Sequence, residues 1–313
     1  MTIRWGFIGA GWIASKAMAP AVHSAAGAIL QAVASQSHER ARMLEPVRVH
    51  NTYQELLEDP TIDAVYINLP NHLHFEWSIK ALNAGKHVLC EKPLAMSVDE
   101  VNSMAKAAEL NDRMLVEAVW MRWHPRFARI VELVRSGEIG EVKSIDTAFT
   151  FPGKIDGNYR NSLEMGGGSL LDVGPYLLHT WVAILDGKID LTLTSVERTI
   201  GVSGVDLTTQ LVGTINKTIS VRALASFEQP ENQKLIITGT GKTLECLGAD
   251  AFTSWKSQSE LRIGDSCELF APIDPYQEMI KHFSACARNE NGWIPRMSQS
   301  IRVSELLDQI AYL

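Results

Sequence analysis

The sequence predicts an α/β protein: a doubly wound parallel sheet at the N-terminus, followed by an α+β domain with an open, largely antiparallel sheet. Two patterns support this prediction. From residue 3 to about residue 117, strand-like and helix-like segments alternate, which is typical of a parallel sheet with helices on both faces. Beyond residue 117, strand-like runs follow one another with short turns, which favours an antiparallel sheet. We therefore expect one domain over residues 1–119 and a second over residues 120–313.

The first domain opens on an apolar, β-prone strand that begins at Ile3. Further strands are predicted at 28–35, 64–69, 87–90 and 114–116. Helical periodicity between them is clearest at 74–83 and 98–110. Ser97 is a good N-cap for the second of these helices, and Glu100 three residues later completes a capping box. Parallel sheets of this kind bind ligands at the C-terminal ends of their strands.

The second domain combines many strand-like runs with a few helices. Its strands are predicted at 142–151, 191–200, 208–214, 219–226, 234–238 and 243–246. Its helices are predicted at 127–135, 276–287 and 300–311. Gly, Asp and Asn residues separate the strands, as short turns between antiparallel neighbours require.

Composition and charge limit the possible partners. The 313 residues are 46% hydrophobic and 21% charged, with a formal net charge of −7 and no basic patch with interleaved aromatic residues, so nucleic acid is not an expected partner. No apolar run approaches the length of a membrane span, and we expect neither membrane association nor a signal peptide. The cysteines lack metal-binding spacing, so we expect reduced thiols, no metal and a cytoplasmic location; they are Cys90, Cys246, Cys267 and Cys286.

The first strand runs into a glycine turn, G-x-G-x-x-A, formed by Gly9, Gly11 and Ala14. In a Rossmann dinucleotide-binding domain, the first glycine allows a tight turn and the second lets the backbone approach a pyrophosphate at the next helix N-terminus. The third small residue lets that helix pack closely on the strand. We expect Trp12 and Ile13 to contact the dinucleotide as well. The alternative is a glycine-rich turn in some other α/β fold.

The end of the second strand bears on the choice of cofactor. NAD enzymes usually place an Asp or Glu there to bind the ribose diol. Here Ser35 and Gln36 occupy the position and Arg40 follows, so no carboxylate repels a 2′-phosphate. We therefore predict NADP(H) in preference to NAD(H), with these three residues near the phosphate. The alternative is that Arg40 lies on the solvated face of a helix.

Two further motifs follow strands of the first domain. Leu69, Asn71 and His74 follow one strand, and Glu91 and Lys92 follow the next. Because parallel strands end at the same edge of the sheet, we expect all five residues to line the cofactor site. The alternative for the last two is a surface ion pair of little consequence.

These motifs together resemble the glucose–fructose oxidoreductase / inositol dehydrogenase / rhizopine-catabolism (Gfo/Idh/MocA) family. The matching residues are the glycine turn, Pro70-Asn71 with His74, and the run Ala84-Gly85-Lys86-His87-Val88-Leu89-Cys90-Glu91-Lys92-Pro93, whose Glu-Lys-Pro tripeptide is highly specific. The resemblance implies a pyridine-nucleotide oxidoreductase acting on sugars, polyols or related diols, with Lys92 near the nicotinamide and the reacting oxygen. It also implies a second domain that binds substrate and joins subunits through its open sheet, as a homodimer or homotetramer.

A second stretch carries the same resemblance. Residues 166–179 read GGGSLLDVGPYLLH, similar to the family signature G-G-G-x-L-x-D-x-G-x-[HY]. Many relatives have His where this chain has Tyr176. Tyrosine there, with the upstream run Asp156-Gly157-Asn158-Tyr159-Arg160, looks like the branch that contains glucose–fructose oxidoreductase, dimeric dihydrodiol dehydrogenases and some deoxysugar ketoreductases.

Asp172, Tyr176 and His179 have the spacing i, i+4 and i+7, which would place them on one face of a helix. Proline is poorly tolerated inside a helix but favoured at its start. The alternative is that the helix begins only at Gly174 or Pro175. In that case Asp172 lies just ahead of it.

Hydride transfer to a carbonyl carbon needs an acid that protonates the new alkoxide, and the same group is the base in oxidation. A free tyrosine titrates near pH ~10, and a nearby ammonium favours its phenolate. We predict Tyr176 as proton donor/acceptor, Lys92 as its electrostatic partner, and Asp172 as a group that binds a substrate hydroxyl or orients the site. Weaker candidates for substrate contacts, each alternatively a structural residue, are Arg122, His124, Arg160 and His179.

Two alternatives to a sugar or diol oxidoreductase remain open. One is a non-catalytic, cofactor-binding sensor of the same fold, in which Tyr176 is only a half-buried aromatic residue. A sensor need not keep both Lys92 and Tyr176, so their presence favours an enzyme. The other is a biliverdin-reductase-like activity, but a lysine–tyrosine pair suits a carbonyl or alcohol better than a tetrapyrrole.

Overall fold

A computed structural model describes residues 2–153, 157–248 and 250–311 of the chain. Packing divides the chain into two compact units. The first contains Met1–Trp120 and Asp274–Ser300, and the second contains Met121–Ile273 and Ile301–Leu313. The division that the sequence predicts at residue 119 separates a cofactor-binding domain from a substrate-binding domain. That functional division stays a prediction.

The first unit is built on a six-stranded parallel sheet with the order β3-β2-β1-β4-β5-β6, as in a Rossmann fold. Its strands are β1 (Ile3–Ile8), β2 (Ala28–Ala34), β3 (Arg48–His50), β4 (Ala64–Ile67), β5 (His87–Cys90) and β6 (Leu115–Glu117). Its helices are α1 (Ala19–Ser24), α2 (His38–Arg42), α3 (Tyr53–Glu58), α4 (His74–Asn83), α5 (Val98–Leu110) and α9 (Pro275–Ala287). A π-helical turn, Ala14–Met18, leads into α1.

The predicted cap of α5 is present, since Ser97 Oγ accepts a hydrogen bond from the Glu100 N–H at 3.3 Å. Helix α9 completes the core of this unit although it lies more than 150 residues beyond β6. Phe283 of α9 packs on Trp5 of β1 with ring centroids 4.8 Å apart. Tyr276 stacks on Trp120 at 4.6 Å. These aromatic pairs explain why residues 274–300 belong with the N-terminal sheet.

The second unit contains an eight-stranded sheet with the order β14-β13-β12-β11-β7-β10-β9-β8. Its strands are β7 (Val142–Thr150), β8 (Leu191–Ile200), β9 (Asp206–Ile215), β10 (Ile219–Ser226), β11 (Asn232–Gly239), β12 (Thr243–Gly248), β13 (Ser259–Ile263) and β14 (Ser266–Phe270). All neighbouring pairs are antiparallel except β7 with β10. Its helices are α6 (Pro125–Arg135), α7 (Ser169–Asp172) and α8 (Gly174–Ile184), while α10 (Met297–Ala311) begins in the first unit and ends in the second.

The two sheets confirm the predicted fold class, a parallel doubly wound sheet followed by a largely antiparallel one. Three strands were not predicted: β3 has only three residues, β13 carries charged residues at alternate positions, and β14 has only five residues. Among residues 2–153, 157–248 and 250–311, no helix combines the length and apolar character needed to cross a membrane.

Candidate active site

The glycine turn after β1 is fastened to the end of β4. Gly9 has φ +97°, and a Cβ at this position would lie 2.1 Å from the Asn68 carbonyl oxygen. The Gly11 N–H donates to Asn68 Oδ1 at 3.1 Å, and a Cβ on Gly11 would lie 2.5 Å from the same atom. Only glycine fits position 9, whereas a side chain at position 11 would displace the Asn68 amide from its hydrogen bond. Asn68 was not predicted as a site residue, because its role depends on a contact between strands that are distant in sequence.

The residues that follow the turn suit a dinucleotide pyrophosphate. Trp12 is 70% exposed, and Ile13 has helical backbone angles immediately before the π-helical turn. The first N–H groups of a helix have no partner within the helix, so this segment can donate to an anion. Ala14 is fully buried, as the close packing of helix on strand requires. The turn therefore fits a dinucleotide at the position the motif predicts.

The end of β2 forms a small polar turn. Ser35 is buried and its hydroxyl accepts a hydrogen bond from the Ser37 N–H at 3.3 Å. Ser37 in turn caps α2 by accepting from the Arg40 N–H at 3.3 Å. Gln36 and Arg40 are exposed. Arg40 also interacts electrostatically with Tyr53. Burial raises the pKa of the Tyr53 phenol, and the charge of Arg40 offsets part of that rise.

His74 joins the two loops that follow β4 and β5. Its ring is fully buried, with Nδ1 2.8 Å from the Pro93 carbonyl oxygen and Nε2 2.9 Å from the Leu69 carbonyl oxygen. Burial lowers the pKa of this imidazole. Asn71, in the loop that follows β4, is also buried. The structure thus places His74 where it holds the loops together, and Leu69 contributes its backbone to the same junction.

Lys86, the lysine of the Ala-Gly-Lys-His-Val run, has a structural role. Its buried ammonium donates to the carbonyl oxygens of Asp59 at 2.8 Å and Ile62 at 2.9 Å. Glu91 and Lys92 follow at the end of the strand, where Glu91 is buried and Lys92 is partly exposed. The first lysine of the motif therefore anchors β5, and the second lies in the loop beyond it.

In the second unit, the triple glycine lets two segments approach each other closely. A Cβ on Gly167 would lie 2.4 Å from the Arg160 carbonyl oxygen. Gly168 has φ +108°, and its Cβ would lie 2.0 Å from Asp206 Oδ1. Asp206 Oδ2 accepts hydrogen bonds from the Ser169 hydroxyl at 2.7 Å and the Leu170 N–H at 2.8 Å, which fixes the start of α7. Asp206 was not predicted as a site residue.

Asp172 ends α7 and forms a bidentate ion pair with Arg160. The two bonds run from Nε to Oδ2 at 2.8 Å and from an Nη to Oδ1 at 3.1 Å. Burial lowers the pKa of Arg160, but the attraction of Asp172 outweighs burial and raises it overall. Of the upstream run, Asp156 lies outside the described residues, and Asn158 caps the turn that carries Arg160 by accepting from its N–H at 3.1 Å.

Helix α8 begins at Gly174 with Pro175 in its first turn, so Asp172 lies just ahead of the helix. Tyr176 is 8% exposed, and its ring centroid lies 5.3 Å from that of Phe149. Tyr176 also interacts electrostatically with Arg160 and contributes, after Asp172, to its raised pKa. The second unit therefore brings together Arg160, Asp172 and Tyr176.

The other predicted substrate contacts are buried. Arg122 lies over the Phe127 ring, with its guanidinium carbon 5.3 Å from the ring centroid. His124 caps α6, since Nδ1 accepts from the Arg126 N–H at 3.1 Å. Burial, followed by the charge of Arg126, lowers the pKa of His124 to about 4, so its ring is neutral at pH 7. His179 is 1% exposed.

Asp172→Asn should weaken the second unit, because it leaves Arg160 without its counter-charge. The carboxylate is 6% exposed and the guanidinium 30% exposed, so we expect a loss of ~2 kcal/mol, between the values typical of surface and fully buried pairs. Urea unfolding measures it. Asp146→Asn is the matched control, since it breaks the more exposed pair with Lys234 and should lose less than ~1 kcal/mol. Equal losses in the two variants would contradict the prediction.

Within the described residues, no group of three or more His, Cys, Asp or Glu side chains has the arrangement of a metal site.

A six-stranded sheet in this order, with a glycine turn that has no room for side chains, defines a Rossmann dinucleotide-binding protein. The sequence model of the "Oxidoreductase family, NAD-binding Rossmann fold" matches residues 3–118, and the model of the "GFO/IDH/MocA C-terminal domain" matches residues 127–245. The chain belongs to the Gfo/Idh/MocA oxidoreductase family, which confirms the predicted family.

Three relatives illustrate the likeness. D-xylose 1-dehydrogenase (NADP(+)) 2 from Haloferax volcanii is 32% identical over 98% of this chain and 96% of its own length. The dTDP-3,4-didehydro-2,6-dideoxy-alpha-D-glucose 3-reductase from Actinomadura kijaniata is 37% identical over 56% of this chain, and the match spans only about half of its length, 53%. A solved 3-ketoreductase from the same organism, in complex with NADP and TDP-benzene, has a TM-score of 0.89 and 27% identity, covering 100% of this chain and 98% of the relative.

Proposed function

We propose that the protein is an NADP(H)-dependent oxidoreductase that transfers a hydride between the nicotinamide and a CH–OH or carbonyl carbon of a sugar, polyol or related diol. The observation that carries the proposal is the glycine turn, where Gly9 and Gly11 leave no space for a Cβ beside Asn68. Two relatives support the substrate class, because one is a D-xylose dehydrogenase that uses NADP(+) and the other is a 3-ketoreductase solved in complex with NADP.

The proton would be moved by Tyr176. The cofactor supplies the hydride when bound. The Tyr176 phenol would donate a proton to the new alkoxide in reduction and accept it in oxidation, and Lys92 would bind the substrate oxygen and favour the phenolate. Arg160, which is paired with Asp172, also lies close enough to Tyr176 for an electrostatic interaction. Asp172 would orient the site through Arg160.

The preference for NADP(H) follows from the end of β2. Ser35, Gln36 and the exposed Arg40 present hydroxyl, amide and guanidinium groups there and no carboxylate. A 2′-phosphate would gain a charge-assisted hydrogen bond from Arg40, whereas a 2′-hydroxyl would gain a weaker neutral one. The pyrophosphate would bind near Gly9, Gly11, Trp12 and Ile13. The nicotinamide end would lie near the loops of Leu69, Asn71, His74, Glu91 and Lys92.

We also propose that the protein acts in the cytoplasm as a homodimer or homotetramer joined through the second sheet. One side of this sheet is covered by α7 and α8. Along β10, Ser220 and Arg222 are exposed while Val221 and Ala223 are buried, so the strand turns a polar side away from the core. A second copy of the chain can cover such a surface.

The test of the function is a change in nicotinamide absorbance with a panel of keto-sugars, aldoses and trans-diols, run with NADPH, NADP⁺, NADH and NAD⁺. We expect turnover of at least one member and tighter binding of the NADP(H) forms by about tenfold, the contribution of one charge-assisted hydrogen bond. Cofactor binding without turnover of any member would favour a sensor.

Arg40→Ala isolates the basis of the cofactor preference. It should bring NADPH binding down to the level of NADH binding and leave NADH binding unchanged. Arg42→Ala is the matched control, because Arg42 is an exposed arginine of the same short helix. Tighter binding of NADH than NADPH by the native protein would overturn the preference.

A further inference from the structure

The segment that carries Lys92 is held by buried side chains from three directions. Glu91 accepts from the Tyr66 hydroxyl, which comes from β4. His74, at the start of α4, places its Nδ1 within hydrogen-bond distance of the Pro93 carbonyl oxygen, at 2.8 Å. Glu117, the last residue of β6, accepts from the Leu94 N–H at 3.1 Å. Four consecutive residues, 91–94, therefore have their positions fixed around one lysine.

Glu91 is arranged as a carboxylate. Its Oε1 accepts from the Tyr66 hydroxyl at 2.6 Å, a length typical of a hydroxyl bonded to an ionised oxygen. Its Oε2 accepts from the Lys92 N–H at 3.3 Å. The pKa of Glu91 is raised overall, because burial outweighs the opposing effects of the Tyr66 hydroxyl and the Lys92 charge. Both oxygens therefore serve as acceptors in this arrangement.

Glu117 places a second carboxyl group in the same region. It is 4% exposed and close enough to Glu91 and His74 to affect the pKa of each. Two buried carboxylates near each other repel and are expensive to remove from water unless a cation accompanies them. The arrangement therefore requires positive charge nearby.

Among the described residues around this segment, Tyr66 and Cys90 bring no positive charge, whereas His74 has a carbonyl oxygen at each ring nitrogen and can donate to both only as an imidazolium. Burial raises the pKa of the Tyr66 phenol and of the Cys90 thiol, and it lowers the pKa of the His74 imidazole. Tyr276 of α9 faces Tyr66 and brings no cation. Lys92 interacts electrostatically with both Glu91 and His74, so its ammonium lies in the region where a cation is required.

We propose that Glu91 and Glu117 are the counter-charges of Lys92: they fix the backbone that carries it and compensate the positive charge of its ammonium. This deepens the proposed function, because it makes Lys92 a fixed cation and leaves proton transfer to Tyr176. Glu91 and Glu117 are positioning residues in this assignment, since they act through Lys92 and not on the substrate.

The test is competitive labelling of lysine amines with acetic anhydride as a function of pH, read for each lysine by mass spectrometry on the full chain. Only the unprotonated amine reacts. Glu117→Gln keeps an oxygen for the Leu94 N–H and removes the charge. Loss of the carboxylate favours the neutral amine, so the midpoint pH of Lys92 labelling should fall by about one unit, which is about tenfold more labelling at a pH below the midpoint.

Two further variants make the result decisive. Glu91→Gln, labelled in parallel, should shift Lys92 in the same direction and provides a second measurement if one variant fails to fold. Glu76→Gln is the matched control: it removes the exposed partner of Lys80 and should leave the Lys92 midpoint unchanged.

An unchanged Lys92 midpoint in a folded Glu117→Gln or Glu91→Gln protein overturns the proposal. The labelling needs no turnover, so it also separates this proposal from the function on which it builds. A shifted midpoint in a protein that reduces no member of the substrate panel would support the counter-charge assignment while contradicting the catalytic role of Lys92.

Discussion

Tyr176→Phe should lower turnover by on the order of a hundredfold or more, the usual range for loss of a general acid or base, with little change in cofactor binding. The substitution removes only the hydroxyl. The ring should keep its packing against Phe149, whose centroid lies 5.3 Å away, so the start of α8 should be undisturbed. Steady-state kinetics on the best substrate of the panel, with NADPH binding measured by fluorescence, provide the test.

Tyr159→Phe is the matched control for this prediction. Tyr159 is also a neighbour of Arg160, whose guanidinium carbon lies 5.0 Å from the Tyr159 ring centroid. A general effect of losing a phenol near Arg160 would appear in both variants, whereas loss of the proton donor would appear only at Tyr176. Near-native turnover of Tyr176→Phe would remove this residue from the proton-transfer role.

Gly9→Ala should abolish measurable cofactor binding and lower stability. The new methyl group would lie 2.1 Å from the Asn68 carbonyl oxygen at a φ of +97°, so the turn or the end of β4 must move. Unfavourable backbone of this kind destabilises by ~1–3 kcal/mol, and displacement of the turn removes the surface on which a pyrophosphate would rest. Fluorescence titration with NADPH and thermal unfolding measure the two effects.

Gly137→Ala separates backbone strain from the clash. Gly137 has φ +77°, also in the left-handed region, but a Cβ there has no atom within 4 Å. This variant should lose some stability and retain NADPH binding. If Gly9→Ala binds NADPH as tightly as Gly137→Ala does, the turn is not the pyrophosphate site.

Local sequence signals were sufficient to predict most of the elements. The Ser97 cap is one example, and the glycine turn, which follows a strand and opens a helix, is another. The position of Pro175 likewise predicted the start of α8 to within one residue. Such signals lie within a few residues of the feature that they predict. The fold class required only the alternation of these elements along the chain.

Long-range contacts account for what was missed. Asn68 holds a turn 57 positions away, and Asp206 caps α7 from 36 positions away. Neither residue belongs to a motif that identifies its partner. The ion pair between Arg160 and Asp172 was likewise missed, although both residues were predicted to belong to the site, because no local pattern links an arginine to an aspartate twelve positions later. Side-chain partners of this kind become visible only when the chain is folded.

The return of α9 to the first sheet has a consequence for synthesis on the ribosome. In the folded protein Trp5 is fully buried, packs on Phe283 and donates its indole N–H to the Ser284 hydroxyl at 3.3 Å. These partners are translated more than 270 codons after Trp5. The growing chain therefore lacks these partners of Trp5 until residues 283 and 284 have been made, and nascent chains released earlier would expose this face of the tryptophan to chaperones and to one another.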